Sequence, residues 1–195
     1  MFCIDSIHRN SKTIYFIDRP SKKIDAPLVI LLHGFPDNAF GWDLQIQALE
    51  KNYHVIAPFM HGTLNDEVTT SKRIVGPELQ KDVIEIITKV KKSKAQKIYF
   101  IAHDLGCFLS TETIKTMIAC KESDDNEIKG IIHINGLGLE QFVNRKWSLG
   151  QWFKSYYVFL AQNLVVCLFI NKIMPSFFLH RIYNLCLLET NDHIR

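Results

Sequence analysis

The sequence lacks the signatures of several large functional classes. None of its five cysteines forms a C-x-x-C pair: Cys3, Cys107, Cys120, Cys167 and Cys186 are scattered, three of them inside apolar stretches. That pattern excludes a disulfide framework and predicts buried free thiols in a reducing compartment. No glycine-rich phosphate loop occurs, and neither His33 nor His103 has a neighbouring cysteine, histidine or carboxylate at metal-ligand spacing, so a cofactor is not implied and no metal is expected. Charge of one sign is not concentrated. The 23 basic and 20 acidic residues leave a net charge of +3, and the densest basic run, Lys89, Lys91, Lys92, Lys94 and Lys97, reads as a solvated helix end with no nucleic-acid footprint. Met1–Asn10 mixes Asp5, His8 and Arg9 with apolar residues and has no signal-peptide core, which predicts a cytoplasmic protein. The longest apolar stretch, Tyr156–Ile170, is shorter than the roughly 20 residues of a spanning helix, so it predicts a buried or interfacial helix, with membrane-surface association as the alternative.

The chain of 195 residues is 47% hydrophobic and 22% charged, a balance that suits one compact core with a small attachment. Strands alternate with helices. Ile14–Ile17 reads as a strand closed by a turn at Asp18–Ser21, and Leu28–Leu32 is a continuous apolar run expected to be covered on both faces. A helix follows over about Trp42–Leu49, then a strand at Val55–Ala57 ended by Pro58. The next helix spans about Pro77–Lys91, with Leu79, Val83, Ile86, Ile87 and Val90 as its apolar stripe. Ile98–Ile101 reads as a third buried strand, Leu105–Cys120 as a helix stopped by the polar loop Glu122–Glu127, and Ile131–Ile134 as a fourth buried strand ended by Asn135-Gly136. This rhythm predicts an α/β class: a mostly parallel, doubly wound sheet over residues 1–140. Over residues 141–195 the alternation stops, and the aromatic, helix-like sequence from Trp147 onward reads as the start of a helical cap.

Chemistry concentrates at Ala102-His103-Asp104-Leu105-Gly106, between a buried strand and a helix. Small residues two before and two after Asp104 let strand and helix approach closely and force the central residue onto a sharp turn with its side chain exposed. At a helix N-terminus the carboxylate is favoured as an anion, as a nucleophile requires. An aspartate at a helix start is also the commonest N-cap, so both roles are open for this turn alone. A second feature adds weight: the strand Leu28–Leu32 ends in His33-Gly34-Phe35-Pro36, from which the Phe35 amide, with that of Leu105, can converge beside Asp104 as an oxyanion hole.

In the order strand, His-Gly-Phe-Pro, helix, strand, helix, strand, Ala-His-Asp-Leu-Gly, the chain resembles the α/β-hydrolase superfamily over about residues 14–162. Its branch is that of the epoxide hydrolases and haloalkane dehalogenases, whose nucleophile is aspartate. His33-Gly34-Phe35-Pro36-Asp37 is closer to the epoxide-hydrolase form. Dehalogenases carry Asn and Trp where this chain has Phe35 and Leu105, so halide chemistry is disfavoured, and ester hydrolysis is a further alternative.

The resemblance implies a small apolar epoxide as substrate. Asp104 would attack an epoxide carbon while a cap tyrosine, Tyr157 or alternatively Tyr156, donates a proton to the oxygen. A histidine-activated water would then cleave the ester, with Phe35 and Leu105 holding the oxyanion. His33, Gly34 and Pro36 support the loop, and His103 is expected to point away from the nucleophile as a structural hydrogen-bonder. Cys107 is expected to pack.

In the family, the orienting acid and catalytic histidine follow two further strands. On that pattern the C-terminal strands are missing here, and His180, Asp192 and His193 are not assigned to the role. The alternative is a catalytically inactive scaffold or binding protein. An open sheet edge would need cover from a homodimer partner or from the missing C-terminal part.

Overall fold

The computed structural model describes residues 3–9, 12–34, 37–60, 76–93, 96–120, 127–136, 138 and 144. All of them fall in the first of two compact units, Met1–Asn144 and Arg145–Arg195. Asn144 excepted, the segment read as a cap, with Tyr156–Ile170, lies outside the described residues, as do Cys167 and Cys186.

Six strands and three α-helices make up the described part: β1 Ile4–Arg9, β2 Lys12–Arg19, β3 Leu28–Leu32, α1 Asp43–Leu49, β4 His54–Pro58, α2 Gly76–Val90, β5 Ile98–His103, α3 Leu105–Ala119 and β6 Ile128–Ile134. A 3-10 turn, Ala39–Trp42, precedes α1, capped by the Asn38 side chain, which accepts the Phe40 amide at 2.8 Å. The strands form one sheet in the order β1-β2-β4-β3-β5-β6. Strands β4, β3, β5 and β6 are mutually parallel, and the β1–β2 hairpin adds to β4 antiparallel.

Strand β3 shows why the sheet is covered on both sides. All five of its residues are buried, and successive side chains alternate between faces. Leu28, Ile30 and Leu32 pack with Val83, Ile86 and Ile87 of α2 and with Leu109 and Met117 of α3. Val29 and Leu31 pack on the opposite side with Ala39, Trp42 and Ile46. The sheet is thus sandwiched, with α2 and α3 on one face and α1 on the other. Truncating a ring such as Phe100 in this core should cost about 3–5 kcal/mol.

Several sequence expectations need correction. Strand β1 was not foreseen: its polar and apolar residues mix without a continuous run, and it forms by pairing with β2 from Ile4↔Ile17 to Arg9↔Lys12. Strand β2 runs through Arg19, because pairing with β4 extends it into the expected turn. Strand β6 is not a buried strand. It is the sheet edge among the described residues, and Ile131, Ile132 (57%) and Ile134 are exposed. Among the described cysteines, Cys3 and Cys120 are exposed and Cys107 is buried, so the thiols are not uniformly core residues.

Nor is the basic run simply solvated. Lys89 donates to Asp5 at 3.0 Å and to the Ser6 carbonyl at 2.8 Å, tying α2 to the hairpin. Lys91 pairs with Glu127 at the foot of β6, both side chains largely buried. His54 reaches across from β4 to Asp18 of β2 at 2.6 Å. No helix among the described residues is long and apolar enough to cross a membrane.

Candidate active site

The parallel strands β3, β4 and β5 carry their C-terminal ends to one rim of the sheet, and the chemistry-bearing side chains of the described residues gather there. The turn from β5 into α3 is the sharpest feature. Asp104 has φ 49° and ψ −116°, a left-handed backbone conformation that costs a non-glycine residue on the order of 1–3 kcal/mol. Its side chain makes no capping hydrogen bond to the helix, so the ordinary reason for an aspartate at this place does not apply.

Backbone bonds hold the turn. The Asp104 amide donates to the Ile134 carbonyl at 3.1 Å, and the Cys107 amide donates to the Asp104 carbonyl at 3.0 Å. Gly106 permits the closure: a Cβ there would run into the Leu32 carbonyl and lie 2.9 Å from that of His33. On the far side, a Cβ at Gly136 would fall 2.7 Å from the Cys107 sulfur and 2.8 Å from the Asp104 carbonyl oxygen. The loop leaving β6 therefore presses on the start of α3, and Asn135 adopts φ 51° to enter it.

Gly34 faces the turn. A Cβ built on it would stand 2.5 Å from Asp104 Cβ, 3.0 Å from Asp104 Oδ2 and 3.0 Å from His103 Nδ1. The carboxylate therefore lies over Gly34, where only a hydrogen side chain fits. His103 Nδ1 borders the same point, so the side chains of both neighbours reach Gly34.

His33 is 1% exposed and uses both ring nitrogens. Met60 donates its backbone N–H to Nε2 at 3.1 Å. An amide can only donate, so Nε2 is the bare acceptor and Nδ1 carries the proton, donating to the Gly34 carbonyl at 2.8 Å. Burial pushes the His33 imidazole below its ordinary range, against the Gly34 bond and the carboxylate of Asp37, which favour the cation; His103 adds to the downward push.

Behind the turn, Cys107 Sγ donates to the Ala102 carbonyl at 3.3 Å and lies 3.7 Å from that of Ile134. Burial first, then the nearby Asp104, pushes this thiol up, which keeps it protonated and unsuited to attack. Leu105 opens α3 with its side chain 50% exposed beside Asp104.

Phe35, Pro36, Tyr156 and Tyr157 lie outside the described residues, as do His180, Asp192 and His193. Two supports were not legible from motifs: the Met60 amide, which reaches His33 from another loop, and the Ile134 carbonyl beneath Asp104. The only local signal was Asn135-Gly136 as a strand terminator. Among the described residues no group of three His, Cys, Asp or Glu side chains is placed to hold a metal ion.

Comparison with known proteins gives a consistent frame. A family model described as the alpha/beta hydrolase fold matches residues 27–184. The chain is 43% identical over 86 residues to AB hydrolase superfamily protein YfhM of Bacillus subtilis, covering 42% of this chain and 28% of that protein. It is 32% identical over 82 residues to epoxide hydrolase A of Mycobacterium tuberculosis, covering 42% and 25% of the two chains. Among solved structures, a proposed epoxide hydrolase from Pseudomonas aeruginosa superposes with a TM-score of 0.70 at 15% identity, over 93% of this chain and 57% of that one. The matched region thus spans about a quarter of the length of these curated relatives and somewhat over half of that structure.

Proposed function

The chain belongs to the alpha/beta hydrolase fold family, and from that premise we propose that its rim performs the alkylation half of epoxide hydrolysis, with Asp104 as nucleophile. One observation carries the reading: Asp104 is held at φ 49° without capping its helix, with its carboxylate over a glycine that leaves room for no other side chain. Strain of this kind persists where surrounding structure over-determines it, and a capping role needs none of it.

In the step, a carboxylate oxygen of Asp104 forms a bond to an epoxide carbon as the ring C–O bond breaks. The oxygen leaving that carbon takes a proton from Tyr157, or alternatively Tyr156, to give a hydroxyalkyl ester on Asp104. The amides of Phe35 and Leu105 serve as oxyanion donors when water, activated by a histidine, later cleaves the ester to a diol. An apolar substrate suits the exposed Leu105 side chain beside the nucleophile. That side chain offers no donor to a halide, which favours epoxide over haloalkane chemistry.

The test is intact-protein mass spectrometry after incubation with styrene oxide. Exposed Cys3 and Cys120 will also alkylate, so the measurement is made in a Cys3→Ser, Cys120→Ser background with hydroxylamine as a second readout, since it cleaves an ester and spares a thioether. A hydroxylamine-labile adduct of the epoxide's mass, absent from Asp104→Asn, is the expected result. Folded protein without such an adduct would overturn the reading and favour a scaffold or binding role.

A further inference from the structure

We infer that His33 is a positioning residue whose neutral Nδ1–H form staples the loop leaving β3 to the loop leaving β4, and that a second proton on its ring, at Nε2, breaks the Met60 half of the staple and so loosens the support behind Gly34. The inference rests on the reading of Asp104 as a nucleophile and adds to it a pH-dependent control that the nucleophile does not itself contain.

Three observations converge. The ring is buried and spends both nitrogens on backbone groups from different loops, Gly34 O at 2.8 Å and Met60 N–H at 3.1 Å. Orienting the Gly34 carbonyl also orients the peptide plane that leaves Gly34, because the amide is rigid. Finally, Gly34 is the residue that tolerates no atom between itself and Asp104. A side chain that fixes Gly34 from behind therefore fixes the approach in front.

The neutral form is essential to this arrangement. A protonated Nε2 would face the Met60 N–H donor to donor, and a buried donor left without an acceptor costs about 1–3 kcal/mol. Among the described residues, the charged and titratable groups around the ring are Asp37 on the loop after β3, His103 at the end of β5 and Asp104 beyond Gly34. Asp37 favours the cation, while His103 and burial oppose it.

Two measurements on the full chain test this. In the wild type, long-range 15N NMR of the His33 ring should show the Nδ1–H tautomer at pH 8, and the Met60 amide resonance should shift on acidification in step with the ring. The rate of ester formation on Asp104 by styrene oxide should fall along the same step. His33→Gln, which keeps a polar side chain of similar reach but does not titrate, should lose that step and alkylate on the order of 100-fold more slowly at pH 8.

An Nε2–H tautomer, or a Met60 amide indifferent to the ring, would overturn the staple on wild-type data alone, even if His33→Gln does not fold. His33→Gln alkylating at the wild-type rate with an unchanged pH profile would overturn the positioning role while leaving Asp104 as nucleophile. A wild type that forms no ester at any pH would overturn the Asp104 reading, and this one with it.

Discussion

The backbone of Asp104 hangs from Ile134: the amide at the turn donates to the last carbonyl of β6 at 3.1 Å. The strained residue is thus anchored to a strand that, among the described residues, forms the sheet edge, and the same carbonyl lies 3.7 Å from the Cys107 sulfur. Disturbance of the β6 edge is therefore transmitted to the site through this hydrogen bond, the Cys107 contact and the pairing of β6 with β5.

Gly34→Ala tests the close approach of the two loops. The added methyl would need the space of Asp104 Cβ and Oδ2 and of His103 Nδ1. Overpacking of this kind costs about 1–3 kcal/mol, and the displaced carboxylate should form its ester on the order of 100-fold more slowly. Urea denaturation and the styrene oxide assay measure the two effects separately.

The Lys91–Glu127 pair joins the end of α2 to the foot of β6 with both partners largely buried. Lys91→Met leaves a buried carboxylate uncompensated and should destabilise by about 3–5 kcal/mol. Lys91→Met with Glu127→Leu should recover most of that loss. Equal urea midpoints for the single and double variants would show that the pair is not coupled.

Thr113 sits fully buried on α3 with a hydroxyl that has no hydrogen-bond partner among the described residues. Thr113→Val keeps the shape and removes the orphaned group, so the variant should be more stable by about 1 kcal/mol, visible as a raised urea midpoint. A lowered midpoint would reveal a hidden partner for the hydroxyl.

Stability should also depend on pH with a definite sign. Burial lowers the proton affinity of His33 and of His133 in the folded chain relative to the ordinary value of 6.5, so the unfolded chain binds more protons below that pH. Stability is then complete above about pH 6.5 and declines as pH falls through the lowered folded-state values. Urea midpoints at pH 7, 6 and 5 should fall in that order, and by less in His33→Gln. Midpoints that stay level from pH 7 to 5 would contradict the assignment of burial as the dominant cause.

The central sheet was legible because β3, β4 and β5 are short apolar runs between breakers, and burial on both faces of β3 and β4 leaves that composition little choice. Helix α2 was legible from its stripe. Strand β1 was not: Ile4, Ser6 and His8 alternate with Asp5, Ile7 and Arg9, so neither face is purely apolar, and the strand exists through its pairing with β2. An apolar run such as Ile131–Ile134 reports a strand and says nothing of its neighbours, which is why the exposure of β6 was missed. At the site, the spacing around Asp104 pointed to a tight turn because glycine and alanine there have few other uses. The bond from Met60 to His33 joins residues distant in sequence, and no local pattern encodes it.

The pairing of β3 with β5 has a consequence in time. Leu28 meets Ile98, and Leu32 meets Ala102, across roughly 70 residues of chain, whereas the hairpin closes between Arg9 and Lys12, close neighbours in sequence. Distant strands bear the entropy of loop closure before their contacts reward it. During folding the hairpin can therefore form early and on its own, while the turn that bends Asp104 waits for the last partner of the sheet. An emerging chain holds a recognisable edge long before it holds a nucleophile.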